Sequence, residues 1–167
     1  MMGRLLIFML LYVLCGFGTI VSAADKDPEF DRDQPIEIVS QHLEMSELQR
    51  QSIFTGEVVA KQGEMTLTTD KLTVVFEQDQ DVVDHLVALG NVKVVYLDRT
   101  AIAEKGVFYQ LEEKLILTGN AKVTQGENTI SGDEIILFLK ENRSLVKSSE
   151  NHRVRATIIP EKKQDKK

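Results

Sequence analysis

The chain has 167 residues, of which 28% are charged and 43% hydrophobic, and its formal net charge is −6 at pH 7. This length holds one ordinary domain, and the composition is typical of a globular protein, which excludes wholesale disorder. The negative charge argues against a nucleic-acid partner bound by bulk electrostatics, and the single cysteine, Cys15, excludes an internal disulfide and a cysteine-based zinc site.

The first 24 residues have the pattern of a secretory signal peptide. Arg4 precedes an apolar run from Leu5 to Val21, and the small residues Ser22-Ala23-Ala24 follow the run. A basic start, an apolar middle and a small-residue end are typical of a cleaved export signal. We therefore expect residues 1–24 to be removed during export, and the alternative is that the apolar run stays as a membrane anchor.

The rest of the chain has polar margins and a long interior without proline. Residues 25–34 are predicted to form a flexible lead-in, and residues 160–167 a charged, disordered tail. The region between them, residues 35–159, is predicted to be a single domain. Proline is excluded from central paired strands, and none occurs between Pro35 and Pro160, which favours a continuous sheet.

Apolar residues in this domain recur with a period of two, which is the period of a β-strand. Val92 and Val94 alternate with Lys93 and Val95, and similar alternation recurs along the chain. β-Branched residues are frequent, as they are in sheets, and no segment has the pattern of a long amphipathic helix. The sequence therefore predicts an all-β fold.

The domain also contains an internal repeat. Residues 55–70 align without a gap to residues 118–133, at an offset of 63 and with seven identical positions. A weaker copy begins at Gly90-Asn91 and ends near Ala103-Glu104. A unit of this size cannot bury its own apolar face, so we expect repeated strand-turn-strand units that cover one another.

Glycine and aspartate mark the turns of the repeat. Gly63 and Gly126 occupy matching positions, and glycine adopts the positive φ of a tight hairpin turn at low cost. The middle copy has Tyr96-Leu97-Asp98-Arg99 there, without a glycine. Asp70 and Asp133 are predicted to lie at corners, where aspartate can bond its own backbone two residues on. These residues are therefore assigned structural roles.

A search for catalytic or metal-binding motifs finds little. His42, His85 and His152 are isolated in sequence from plausible nucleophiles, and the chain has no nucleophile elbow, phosphate loop or paired-histidine zinc motif. The acidic segment 77–84 lacks the glycine of a calcium loop, which favours a solvated connection between strands. We therefore expect a protein that is not an enzyme and carries no metal or cofactor.

Five segments carry a resemblance to a known family. They are Pro35-Ile36-Glu37-Ile38, Ser40-x-x-Leu43-Glu44, Phe54-Thr55-Gly56-Glu57-Val58, Leu117-Thr118-Gly119-Asn120-Ala121-Lys122-Val123 and Gly132-Asp133. In this order, and with an export signal in front, they resemble the LptA (OstA-like) family of periplasmic lipopolysaccharide-transport proteins. The resemblance covers nearly all of residues 33–160 and implies a single-domain, open, twisted β-jelly roll with a V-shaped section.

The resemblance also implies a role as a soluble bridge in the periplasm. Copies would stack head to tail, hold the lipid A part of lipopolysaccharide in an apolar groove, and join an LptC-like inner-membrane protein to the N-terminal domain of an LptD-like outer-membrane protein. One alternative is an LptC-like, membrane-anchored member of the same group. The other is an exported structural module that binds proteins by edge-strand pairing and carries no lipid.

Two sets of residues are predicted to carry this function. The inward apolar positions are expected to bind lipid, and they are Ile36, Ile38, Phe54, Val58, Leu67, Val74, Phe76, Val92, Val94, Leu117, Val123, Ile130 and Leu137. The two ends of the sheet are expected to pair with partner strands. These edge residues are Ile36, Glu37, Ile38 and Val39 at one end, and Val154, Arg155, Ala156, Thr157, Ile158 and Ile159 at the other.

Overall fold

The computed structural model describes residues 33–77 and 82–160. The predicted signal peptide, most of the lead-in, the centre of the acidic connection and all of the tail after Pro160 lie outside these residues. Within the described part of the chain, no helix is long and apolar enough to cross a membrane.

The described residues form ten β-strands, six of them long, and no helix. In chain order they are β1 (Glu37–Val39), β2 (His42–Ser46), β3 (Gln51–Gln62), β4 (Met65–Phe76), β5 (Val83–Tyr96), β6 (Arg99–Tyr109), β7 (Lys114–Gln125), β8 (Asn128–Phe138), β9 (Arg143–Lys147) and β10 (Arg155–Thr157). The period-two pattern thus correctly predicts the type of the regular elements.

All ten strands belong to one antiparallel sheet that does not close on itself. Strands β3 to β8 pair consecutively, and two short strands cover each end. β1 and β2 both pair with β3, and β9 and β10 both pair with β8. The outer sides of these four short strands remain unpaired within the described residues. The expected fold class, a single open β-jelly roll, is confirmed.

Each long strand bends near its middle, which divides the sheet into two arms. The pairing register shifts in successive strand pairs between Thr55 and Val58, Thr68 and Lys71, Leu89 and Val92, Ile102 and Lys105, and Thr118 and Ala121. An extra residue in one strand bends that strand and increases its twist. We call the half with the two-residue turns, together with β1 and β10, the turn arm, and the other half, with β2 and β9, the loop arm.

The tight turns of the turn arm lie where the repeat predicts them. Gln62 pairs with Met65 across Gly63-Glu64, and Gly63 has a φ of 54°. The matching turn in the last copy contains Gly126, with a φ of 56°. In the middle copy, Leu97 adopts a φ of 54° without being glycine, so this turn keeps the backbone geometry of its neighbours at a steric cost.

The corner aspartate Asp70 bonds across strands instead of to its own backbone, whereas Asp133 bonds to the segment after β9. The Asp70 carboxylate accepts a hydrogen bond from the Asn91 amide on the next strand at 2.9 Å. Gly90, with a φ of 80°, lies beneath that carboxylate, and a Cβ there would clash with it. Glu104 accepts a hydrogen bond from Asn120 at 2.6 Å in the same way. These cross-strand bonds tie neighbouring strands together along the bend.

Candidate functional site

Each arm carries a row of small and apolar residues that runs across the sheet from one edge to the other. Successive cross-strand partners share one face of a sheet, so each row lies on a single face. In the turn arm the row is Ile38, Ala60, Leu67, Val94, Ala101, Val123, Ile130 and Ala156. In the loop arm it is Leu43, Phe54, Leu72, Ala88, Gly106, Leu117, Ile135 and Val146.

The two rows face each other across a narrow space that we call the trough. Near the bend the arms touch, because a Cβ at Gly106 in the loop arm would lie 3.3 Å from a methyl group of Val92 in the turn arm. Val58, Leu72 and Leu117 are at most 1% exposed, and they belong to one hydrophobic cluster that draws on both arms. The floor of the trough is therefore the core of the protein.

The predicted lipid-binding residues divide into two groups by burial. Five are buried in the floor: Val58, Val74, Val92, Val94 and Leu117. The other eight are half-buried: Ile36, Ile38, Phe54, Leu67, Phe76, Val123, Ile130 and Leu137. The buried group stabilises the fold by packing. The half-buried group keeps surface that a ligand can reach, so lipid contact stays a prediction for these eight residues more than for the five buried ones.

A small apolar cavity of about 50 Å³ lies in the trough. A single water needs roughly 10–15 Å³ by this kind of measure, so the cavity holds only a few waters. Predicted residues that line it are Ile36, Leu67, Val92 and Val94. Besides Ala60, Lys61, Gln62 and Gly106, the lining contains five apolar residues that the sequence interpretation did not assign to lipid binding: Met65, Leu86, Ala88, Phe108 and Leu115. Extending the period-two alternation to the ends of β4, β5, β6 and β7 would have found them.

A second, more polar cavity of about 320 Å³ adjoins the trough and shares Ile36 and Gln62 with it. Gln62 is 7% exposed and Gln110 is 9% exposed, although both are polar. Gln62 Nε2 donates a hydrogen bond to the Gln34 carbonyl at 2.9 Å. We call this space, between the end of the turn arm and the end of the loop arm, the amide cavity.

The predicted edge residues lie at the two ends of the sheet, with shorter strands than expected. β1 contains Glu37, Ile38 and Val39, while Ile36 lies before it in the trough. β10 contains Arg155, Ala156 and Thr157. Val154 and Ile158 flank it and are exposed, and the N–H of Ile159 donates to Asn128 Oδ1 at 2.8 Å.

Sequence reasoning did not assign edge positions to two further strands, β2 and β9. They extend the loop arm at either end, as β1 and β10 extend the turn arm. Leu43 and Met45 in β2 and Leu145 in β9 are exposed apolar residues. Each end of the sheet therefore presents two strands whose outer sides are unpaired within the described residues, together with exposed apolar side chains, which is a template for a further strand.

Several titratable side chains in the described residues form local ion pairs and hydrogen bonds. The backbone N–H and the hydroxyl of Ser149 donate hydrogen bonds to the Asp133 carboxylate, and His152 Nδ1 lies 2.9 Å from Asp133 Oδ1. Together they lower the pKa of Asp133 to about 2. These contacts hold the segment after β9 against the last corner. His85 Nδ1 lies 2.8 Å from Asp84 Oδ2. Among the described residues, no three histidine, cysteine or acidic side chains are grouped to hold a metal ion.

An open, bent sheet with an apolar trough can be compared directly with known proteins. The family model for the LptA/(LptD N-terminal domain) LPS transport protein matches residues 37–143. The chain belongs to this family. The match spans the strands from β1 to the start of β9, so the LptA family pattern covers both arms.

Individual members of the LptA family agree with this assignment. The chain is 30% identical over 145 residues to the lipopolysaccharide export system protein LptA of Escherichia coli K12, covering 81% of this chain and 77% of that protein. It is 26% identical over 115 residues to the lipopolysaccharide export system protein LptH of Pseudomonas aeruginosa, covering 64% of each. The fold also matches the crystal structure of Pseudomonas aeruginosa LptH with a TM-score of 0.71, at 20% identity, over 78% of this chain and 99% of that one.

Proposed function

We propose that this protein is a periplasmic, non-enzymatic carrier that moves lipopolysaccharide from the inner to the outer membrane, with the acyl chains held in the trough. The observation that carries the proposal is the pair of apolar rows, each of which runs across the sheet from one open end to the other. The relatives support it, since LptA is named as part of a lipopolysaccharide export system. LptH is described as a periplasmic component of a lipopolysaccharide transport device.

The trough has the chemistry that a carrier needs. Each methylene moved from water into an apolar site gains about 0.8 kcal/mol, so a continuous apolar surface holds acyl chains without specific bonds. The half-buried row residues are similar aliphatic side chains, such as Leu67, Val123 and Ile130. Similar neighbouring sites bind with similar strength, so a chain can advance from one to the next without a deep trap.

The open ends of the sheet support a proposed head-to-tail assembly. A strand from the β1/β2 end of one copy can pair with the β9/β10 end of another, and such a contact joins unlike surfaces and therefore extends into a filament. The same family model describes the N-terminal domain of LptD, which supports an LptD-like partner with a compatible edge. An LptC-like inner-membrane protein is the proposed partner at the other end.

Photocrosslinking in cells tests the carrier function. We would place a photoactivatable residue at Ile38, which is half-buried in the turn-arm row, and in a control protein at exposed Lys122. Ile38 and Ala60 are cross-strand partners and face the trough, whereas Lys122 alternates with the inward Ala121 and Val123. We expect a lipopolysaccharide adduct at position 38 and none at position 122.

The outcome separates the proposed carrier from its alternatives. If the folded, exported protein gives no lipid adduct at position 38, the carrier proposal is wrong and a structural module that pairs by edge strands replaces it. The N-terminus of the protein recovered from cells distinguishes the remaining alternative. A mature chain that begins near residue 25 supports a soluble bridge, and a retained apolar run indicates an anchored LptC-like protein.

A further inference from the structure

The acidic and basic residues of the four terminal strands are divided by sign between the two ends of the sheet. β1 and β2 contain Glu37 and Glu44, and neither strand has a lysine or an arginine. β9 and β10 contain Arg143, Lys147 and Arg155, and neither strand has an aspartate or a glutamate. These side chains are all exposed. One end of the sheet is therefore edged by acidic strands and the other by basic strands.

The charged groups of the loop arm are available to a partner. Glu44 in β2 forms no ion pair within the described residues. In β9, Arg143 bonds to Glu141 at 2.9 Å and Lys147 bonds to Glu134 at 2.8 Å. Both of these pairs lie at the surface, where an ion pair contributes little, and each cation keeps further N–H groups to donate.

The direction of the strands allows β9 of one copy to pair with β2 of another. Strands β3 to β8 are consecutively antiparallel, so β8 runs opposite to β3. β2 is antiparallel to β3 and β9 is antiparallel to β8, so β2 and β9 run in opposite directions. Two copies in the same orientation therefore meet as an antiparallel β9–β2 pair, which continues the sheet.

The apolar row of the loop arm indicates a register for this pair. The row begins at Leu43 and ends at Val146, and it runs on across the junction when these two residues face each other. Glu44 of one copy then lies opposite Leu145 of the next, with Arg143 and Lys147 as its two diagonal neighbours. Long side chains reach such diagonal neighbours in an antiparallel pair. The junction thus places one carboxylate between two cations.

We propose that these opposite charges make copies of the chain join acidic end to basic end, with β2 of one copy against β9 of the next, and disfavour symmetric dimers. Contact between two like ends brings acidic strands together, or basic strands together, and like charges facing one another across a strand pair are destabilising. A junction of unlike ends does not close on itself, so it extends into a filament. The inference rests on the proposed head-to-tail assembly and names what gives that assembly its direction.

Charge reversal at each end of the loop arm tests the proposal. Glu44→Arg gives a loop arm with two basic ends, and Arg143→Glu/Lys147→Glu gives one with two acidic ends. We expect each variant alone to raise the midpoint of concentration-dependent oligomer formation roughly tenfold or more, measured by analytical ultracentrifugation, because attractive pairs become repulsive. An equimolar mixture should assemble near the parent midpoint, since every junction between the two variants again joins unlike charges.

Matched controls make the same changes of charge away from the terminal strands. Glu127→Arg alters the exposed turn between β7 and β8. Lys93→Glu/Lys122→Glu alters two exposed residues of β5 and β7, in the middle of the sheet. Both controls should assemble at the parent midpoint.

Each result has a defined meaning. Reversed variants that assemble like the parent, equal shifts in the controls, or a mixture that does not recover would overturn this inference and leave head-to-tail assembly in place. A parent protein that stays monomeric at every concentration would overturn both, while the adduct at position 38 still decides the carrier function.

Salt provides a second measurement if circular dichroism shows that the double variant is unfolded. Sodium chloride at about 1 M screens exposed charges beyond about 3 Å. It should raise the parent midpoint, by removing attraction, and lower that of Glu44→Arg, by removing repulsion. Any other pair of shifts would show that these charges do not direct the assembly.

Discussion

Gly90 illustrates how a single residue sets the bend of a strand. Its φ of 80° is costly for any other residue, and a Cβ there would collide with the Asp70 carboxylate. We expect Gly90→Ala to lower the free energy of unfolding by about 2 to 3 kcal/mol, measured by urea denaturation. Gly126→Ala is the control, because its φ is also positive but no atom lies within 4 Å of its Cβ position.

The control should lower the free energy of unfolding by about 1 kcal/mol, since only the backbone strain remains. Equal losses for Gly90→Ala and Gly126→Ala would contradict the role assigned to the contact with Asp70. The comparison therefore isolates the cost of displacing the corner carboxylate from the cost of the backbone conformation.

Residue patterns predicted the inward face well but not its polar ends. Every second residue of a strand faces the same side. Val58 and Ala60 face inward, so Gln62 is expected to face inward too, and Gln110 follows the inward Phe108 in the same way. Both glutamines were predictable as inward residues from spacing alone. That both would line one cavity was not predictable, because it depends on how sharply two distant strands bend and on which turn lies opposite which loop.

At the scale of elements, the short terminal strands are the part that local pattern predicts least. β2 and β9 have five residues each, and β1 and β10 have three. Such segments are too short for an alternation of apolar and polar residues to be distinguished from chance. They form strands because they pair with β3 and β8. The six long strands, by contrast, carry enough alternation for the sequence to predict their type.

The edge strand β1 carries the prediction for assembly. Val39 is 60% exposed, so Val39→Lys costs the folded monomer little while adding a charge to the edge, a substitution that disfavours strand addition. Burying a valine at an interface is worth about 1.5 kcal/mol. We therefore expect the midpoint of concentration-dependent oligomer formation to rise roughly tenfold, measured by analytical ultracentrifugation.

Leu48→Lys is the matched control for charge and lost apolar area. Leu48 is fully exposed in the loop between β2 and β3, outside the edge strands. It should leave the oligomer midpoint unchanged. An equal shift in both variants would mean that charge in general, and not pairing at the β1 edge, controls assembly.

At the scale of the whole molecule, the cavity in the trough is smaller than its proposed cargo. The apolar cavity of about 50 Å³ holds only a few waters, whereas an acyl chain contains many methylene groups. The arms are joined along the bend by core packing, and at their far ends Arg99 Nη1 of the turn arm donates an exposed hydrogen bond to Asn142 Oδ1 in the loop arm at 3.2 Å. Separation of the far ends would break such a surface bond and leave the packing at the bend intact, so it is the least costly way to admit a chain.

Distances between spin labels measure this separation. A label at exposed Glu127 in the turn arm and one at exposed Glu112 in the loop arm report the distance between the arms. Loading with lipopolysaccharide should lengthen that distance by about 4 Å, the contact distance of one added layer of carbon atoms. Labels at Glu64 and Glu127 lie on turns of the same arm, so their separation should stay constant. An unchanged distance between the arms in a protein that demonstrably holds lipid would mean that the chains bind outside the trough.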